Sequence, residues 1–398
     1  MINPSAPGWI DKFFLQQKSS PQTTDTVETF YADTRATGFI YGHIVSLHDT
    51  SNLDLKGWLN DEISKVALLN SLFGIYKIIS TQKTPQDFIH QVGIFYNEMN
   101  PQGFNLFKKV LPNPSAVLNL EKIIDDRVHT NDNIISKNFS HIVTNALLFV
   151  DVLAFEHYLD QGSIPEKYLK KIEETIISIV SLALKTKANK SQHDDLLIKL
   201  FEASVRYSKF SKVNSQNLEN LELDYFNTIL EKQYLVDMAG LALWSDGKVE
   251  KDEAYFLHTI AALMGVSDHF VDESIAATDA FISQYKKEIP YFNYSSPVKH
   301  FYDQTTQLVL TLISRNKKRL VKEISESREL MILLAHSTQR DLEKTEKKKV
   351  KKQLLEICKT IPSLTIFLIP GGSLLLPILI KFIPQLLPSS FNENLDEN

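Results

Sequence analysis

The stretch Asn133–Leu159, NIISKNFSHIVTNALLFVDVLAFEHYL, decides the fold class. Ile142, Ala146, Phe149, Val150, Leu153 and Ala154 recur at three- and four-residue steps, which puts them on one broad face of a helix. Asn138, His141 and Asn145 fall on one side of the same helix, as a polar ridge with a role of its own or as a solvated or internally satisfied face. Outward from this stretch, helical spacing runs from Leu59 to about Asn293. It is broken at Pro85, Pro101, Pro112, Pro114, Gly162-Ser163, Pro165 and Ser267, each a junction between helices. Almost nothing alternates with period two, so the expected fold is all-α, a multi-helix bundle.

The five expected segments are an N-terminal arm at 1–57, a helical domain at 58–220, a helical module around an acidic loop at 221–292, basic amphipathic helices at 293–359, and an apolar segment with a tail at 360–398. Within the arm, Trp9, Phe13 and Phe14 are placed to pin it to the body, and a short strand is expected around Phe39–Val45. Met1–Lys18 has no basic region ahead of an apolar core, so a cleaved secretory leader is not expected. Apolar residues at 43% and charged residues at 23% exclude wholesale disorder. The lone Cys358 excludes a disulfide framework and any multi-cysteine zinc site. The chain carries no G-x-G-x-x-G, P-loop, H-E-x-x-H or nucleophile elbow, and enzymatic chemistry is not expected.

Leu235, Met238, Ala239 and Ala242 face one way on a helix that ends at the acidic turn Ser245-Asp246-Gly247-Lys248-Val249-Glu250-Lys251-Asp252-Glu253, after which a second helix runs to Gly265. Asp246, Glu250 and Glu253 are the candidate ligands of a divalent cation, with Asp237 as a fourth; otherwise they are helix-terminal charges in water. A full calcium loop is not expected, because its first two ligand positions would be Ala242 and Trp244. Leu235–Ala239, Trp244–Val249 and Glu253 resemble the tellurite-resistance (TerB-like) helical module, an all-α bundle with carboxylates around its loop. Val150-Asp151, Asp160, Gly162 and Ile164 match Val236-Asp237, Asp246, Gly247 and Val249 at an offset of 86 with one inserted residue, as two related modules in tandem would.

The net charge of −5 hides an asymmetry: Arg315–Lys359 carries fourteen basic and seven acidic residues. Only seven of the 43 basic residues are Arg, which suits diffuse attraction to anionic surfaces better than bidentate base reading, and DNA is not an expected partner. Lys344, Lys347, Lys348, Lys349, Lys351, Lys352 and Lys359 form a cationic stripe on a helix. Near anionic lipid each adds about 1 kcal/mol.

Directly after the stripe, Thr360–Ile380 is uncharged and long enough, at ~1.5 Å per residue, to reach about 30 Å as a helix. Pro362, Pro370, Gly371, Gly372 and Pro377 interrupt it, and Pro384 and Pro388 follow, so a kinked span or a hairpin dipping into one leaflet is expected. The alternative is an apolar tail docked in the bundle. The wording around Phe367, Pro370, Gly371-Gly372, Leu375, Pro377, Lys381, Pro384 and Pro388, closing on Leu387-Pro388-Ser389-Ser390-Phe391, resembles the leucine-zipper and EF-hand-containing transmembrane (LETM) family.

In that family the stretch is the membrane segment of mitochondrial proteins linked to cation/proton exchange, with a ribosome-binding region after it. The resemblance implies a kinked membrane segment here, with most of the ribosome-binding region absent. With the TerB-like unit, the whole resembles bacterial LETM-related proteins of the biofilm-associated kind. The implied function is non-enzymatic envelope or cation homeostasis, or scaffolding, at the bacterial inner membrane with the body facing the cytoplasm. Membrane lipid, a second copy of the chain and a protein partner are the implied partners. The alternative is a cytoplasmic module that binds ribosomes or a protein through its basic helices.

Overall fold

The computed structural model describes residues 2–17, 26–47, 55–99, 115–128, 145–187, 198, 217–244, 249–289, 297–340, 342–367, 379, 380, 382 and 383. Regular structure among them is entirely helical. The chain forms two compact units, the first Met1–Leu55, Asn60–His129 and Phe139–Asn293, the second Lys56–Leu59, Thr130–Asn138 and Tyr294–Asn398.

The first unit holds α1 (Trp9–Gln17), α2 (Val27–Ala36), α3 (Asn60–Ile79), α4 (Pro85–Met99), α5 (Ala116–Val128), α6 (Phe149–Gln161), α7 (Tyr168–Thr186), α8 (Ile229–Leu243), α9 (Lys251–Met264) and α10 (Asp268–Tyr285). The periodic stretch that sets the fold class is α6 from Phe149 onward, ended by Gly162 in the left-handed conformation (φ 77°), where a side chain would be strained. Asn145 is buried and donates from Nδ2 to the Gly42 carbonyl at 3.3 Å, while Asn138 and His141 lie outside the described residues.

α8 is buried on nearly every side, its apolar residues running from Leu230 through Leu235, Met238 and Ala242 with Glu231 and Asp237 enclosed among them, and it packs against α7, α9 and α10. A helix with no polar stripe has to be central, and α8 is. Trp9, Ile10, Phe13 and Phe14 are buried, and the N–H groups of Gly8 and Ile10 each donate to the Glu121 carboxylate at 3.0 Å, so α5 caps α1. Phe14, Phe73 and Phe88 meet edge-to-face at centroid distances of 5.1–5.9 Å. The strand expected around Phe39–Val45 does not form. Gly38 (φ 83°) and Gly42 (φ 73°) reverse the chain, and the hydrogen bonds from Tyr41 N to Gly38 O and from Gly42 N to Phe39 O close turns.

The two aspartates that the sequence places 86 apart are both fully buried. Asp151 takes two hydrogen bonds from Arg127, one from Nε at 2.7 Å and one from Nη2, and a third from the Tyr96 hydroxyl at 3.0 Å. Asp237 accepts from the Tyr31 hydroxyl at 2.6 Å and from Ser274, and faces Arg35 at 3.6 Å. Burial pushes the Asp237 carboxyl up, against the pull of Arg35, Ser274 and Tyr31. Each carboxylate thus has an arginine and a tyrosine, but from different places in the chain: Arg127 precedes its aspartate by one helix, whereas Arg35 comes from α2.

The second unit holds α11 (Pro297–Ser325), α12 (Arg328–Gln339), α13 (Lys344–Thr360) and a 3-10 helix at Pro362–Phe367. Its core joins Leu312, Leu320 and Ile324 of α11, Leu330 and Leu334 of α12, and Val350, Leu354 and Ile357 of α13. Leu364, Phe367, Leu379 and Ile383 are buried in the same cluster. The apolar end is therefore anchored in this core on both sides of 368–378, which lie outside the described residues. No helix among the described residues is long and apolar enough to cross a membrane. After Thr360 the helix expected through the apolar run gives way to the short 3-10 turn, because Pro362 disfavours helical geometry in the residue before it and lacks a backbone donor.

Candidate functional site

α13 presents three faces. Val350, Leu354, Ile357 and Cys358 are buried, at steps of four, three and one residues. On a second face Lys349 and Gln353 both bond the Glu329 carboxylate of α12 at 2.7 Å, and Gln353 Oε1 also accepts from the Ser327 hydroxyl at 2.9 Å. Near the start of α13, Arg340 forks onto Glu346 at 2.7 and 2.8 Å, and this bond holds the Glu346 carboxyl down to about 2. Glu346 also accepts from the Glu343 N–H at 2.8 Å, completing a capping box. At the far end, the Ser363 hydroxyl bonds Asn316 of α11 at 3.1 Å. The helix is fixed at both ends and along one side.

The third face carries Lys344, Lys347, Lys348, Lys351 and Lys352, all exposed and with no ion-pair or hydrogen-bond partner among the described residues. At 100° per residue they fall within an arc of roughly 140° over about 12 Å of helix. Lys344, Lys348 and Lys352 stand at four-residue steps, as do Lys347 and Lys351, so like charges repel along the helix by about 0.2–0.5 kcal/mol per pair. The structure divides the predicted stripe: five lysines share a face, Lys349 is spent on Glu329, and Lys359 pairs with Glu356 at 2.7 Å. Cys358 faces the core, where burial pushes its thiol up to about 12.

Of the three candidate cation ligands, Glu250 and Glu253 are described, both at the start of α9. Glu250 is the N-cap of α9, and its N–H donates to Glu253 Oε2 at 2.8 Å, which makes the buried Glu253 half of a capping box. Asp237 belongs to the Arg35 cluster and Asp246 lies outside the described residues. Among the described residues no group of three or more His, Cys, Asp or Glu side chains could hold a metal ion. Of the predicted membrane-segment positions, Phe367 is buried in the second unit's core and Pro362 opens the 3-10 helix. Pro370, Gly371, Gly372, Leu375, Pro377, Lys381, Pro384 and Pro388 lie outside the described residues.

One polar cluster has no counterpart in the sequence reading. His157 of α6 meets Glu231 of α8 at 2.8 Å in the interior, with Glu156 and Tyr168 beside it. Two signals for it stand in the sequence: adjacent charged residues on the otherwise apolar α6, and the Thr228-x-x-Glu231 capping pattern.

Residues 342–398 match the family model LETM1-like, RBD. No curated protein and no solved structure matches the chain. The matched stretch begins just before α13 and takes in both the lysine face and the apolar end, and it relates this end of the chain to the LETM family.

Proposed function

We propose that the second unit is a LETM-type ribosome-associating module that holds phosphate-rich RNA against the lysine face of α13. One observation carries this reading: five exposed lysines, without partners among the described residues, share one face of a helix that is otherwise fixed by its core and its ion pairs. Such a face pays in self-repulsion, and an anionic partner turns that repulsion into attraction. Lysines without a planar fork track a backbone rather than read bases. The domain name attached to residues 342–398 points the same way. The packing of Leu364, Phe367, Leu379 and Ile383 into the unit's core favours this reading over a spanning segment.

Contact with anionic lipid is the second reading, favoured by the uncharged run that adjoins the lysines. The test is co-sedimentation with ribosomes at 50 mM salt beside flotation with vesicles containing anionic lipid. Ribosome pelleting that Lys344→Glu, Lys348→Glu and Lys352→Glu together abolish supports the proposal. Flotation without pelleting replaces it by the lipid reading.

A further inference from the structure

Where α6, α7 and α8 of the first unit meet, two carboxylates and an imidazole are enclosed together. Glu231 is at the third position of α8. Its Oε2 accepts the Thr228 N–H at 2.8 Å, the Thr228 hydroxyl accepts the Glu231 N–H at 3.3 Å, and its Oε1 meets His157 Nε2 at 2.8 Å. The carboxylate that caps the central helix is thus the one that binds the imidazole. Glu156, next to His157, is buried, and neither its Oε2 nor the buried Tyr168 hydroxyl has a hydrogen-bond partner among the described residues. Tyr168 lies edge-on to the His157 ring at 4.8 Å and stacks on Tyr225 at 6.4 Å.

The charged and titratable groups facing the cluster are Glu156, His157 and Asp160 from α6, Tyr168 from α7, Tyr225 from the 3-10 turn at Leu223–Tyr225, and Glu231 from α8. Lys171 is engaged by Glu222 and lies 4.0 Å from the Tyr225 ring centre, and no lysine or arginine among the described residues pairs with Glu156 or Glu231. The cluster therefore carries two acids and no permanent cation, and only bound protons balance it.

We propose that Glu156, His157 and Glu231 form a proton-operated latch on the N-terminal end of α8, closed when protonated and released when its protons leave. With the protons in place, His157 bridges α6 to the helix cap. Without them, Glu156 and Glu231 face each other as buried anions, and the cap is the weakest point at which the strain is relieved. The acid–base balance has the required direction. Burial pushes Glu156 up to about 7, with the Glu231 charge adding and Thr228 and His157 opposing. Burial lowers His157, but the hydrogen bond and charge of Glu231, with Glu156 and Asp160, outweigh it and raise the imidazole above its ordinary value. Both groups bind protons more tightly folded than unfolded, so stability is greatest at low pH and falls as pH rises through their folded values.

The test follows the melting temperature of the full chain from pH 5.0 to 8.0, beside Glu156→Gln, with hydrogen exchange of the Thr228–Lys232 amides in the parent. The parent is expected to lose on the order of 5 °C over this range and Glu156→Gln about half as much. The amides are expected to lose roughly tenfold in protection, after allowance for the intrinsic rate, while those of α3 hold theirs. Parallel melting profiles overturn the proposal. If the Gln variant does not fold, unchanged protection of the Thr228–Lys232 amides in the parent overturns it alone.

Discussion

Asp151 and Arg127 show what a buried ion pair means for this chain at the scale of single residues. Asp151 is wholly enclosed and Arg127 nearly so, and the carboxylate's oxygens are taken up by the guanidinium fork and the Tyr96 hydroxyl. Removing only the arginine strands a charge in the interior, so Arg127→Ala is expected to lower stability by about 3–5 kcal/mol in urea unfolding. Replacing both partners, as Arg127→Met with Asp151→Leu, is expected to recover most of that loss, because no bare charge is left behind. Cys358 gives a second residue-level outcome. Its thiol is buried beside Ile357 and Ile361 and pushed up to about 12, so alkylation at pH 8 is expected to be at least ~100-fold slower in the folded chain than in urea. That the two aspartates are interior was foreshadowed by their apolar neighbours, Val150 and Val152 in one case and Val236 and Met238 in the other. Which arginine answers each was not, since Arg35 and Asp237 are 202 positions apart and local spacing carries no information about that distance.

At the scale of elements, α13 puts its buried residues and its exposed lysines on different faces of one helix. Leu354 is buried among α11 and α12 residues, and Leu354→Ala is expected to lower the stability of the second unit by about 2–5 kcal/mol, read by denaturant unfolding. Lys348→Glu, on the solvent side, is expected to leave stability within about 0.5 kcal/mol while weakening ribosome pelleting. A loss of stability from the lysine change would show that this face is packed. The helix itself, its amphipathic spacing and its cationic character were legible in the sequence. The pairing of Lys349 with Glu329 was hidden, because it depends on α12 lying alongside.

For the whole molecule, the relevant quantity is where the charge is held. The chain is acidic overall, yet Arg315–Lys359 has an excess of seven positive charges, so its electrostatic reach is local and acts through the second unit. If the five exposed lysines meet phosphates, the logarithm of ribosome affinity falls with the logarithm of salt at a slope near −4, a loss on the order of 10²-fold between 50 and 200 mM. Each lysine replaced by Gln is expected to reduce that slope by about one unit. A slope that does not change would mean that the contacts lie elsewhere.

What the sequence by itself determined is what nearest neighbours determine: helices from three- and four-residue recurrence, their ends from Pro, Gly and capping residues, and the bias of charge toward one end. Only the tertiary structure decided that Phe39–Val45 turns instead of pairing, that Glu253 caps a helix, and that the apolar end contributes Leu364, Phe367, Leu379 and Ile383 to a core. The reason is physical. Backbone periodicity is settled within one or two turns of chain, whereas the partner of a buried charge or an apolar run is chosen by whichever distant surface excludes water from it.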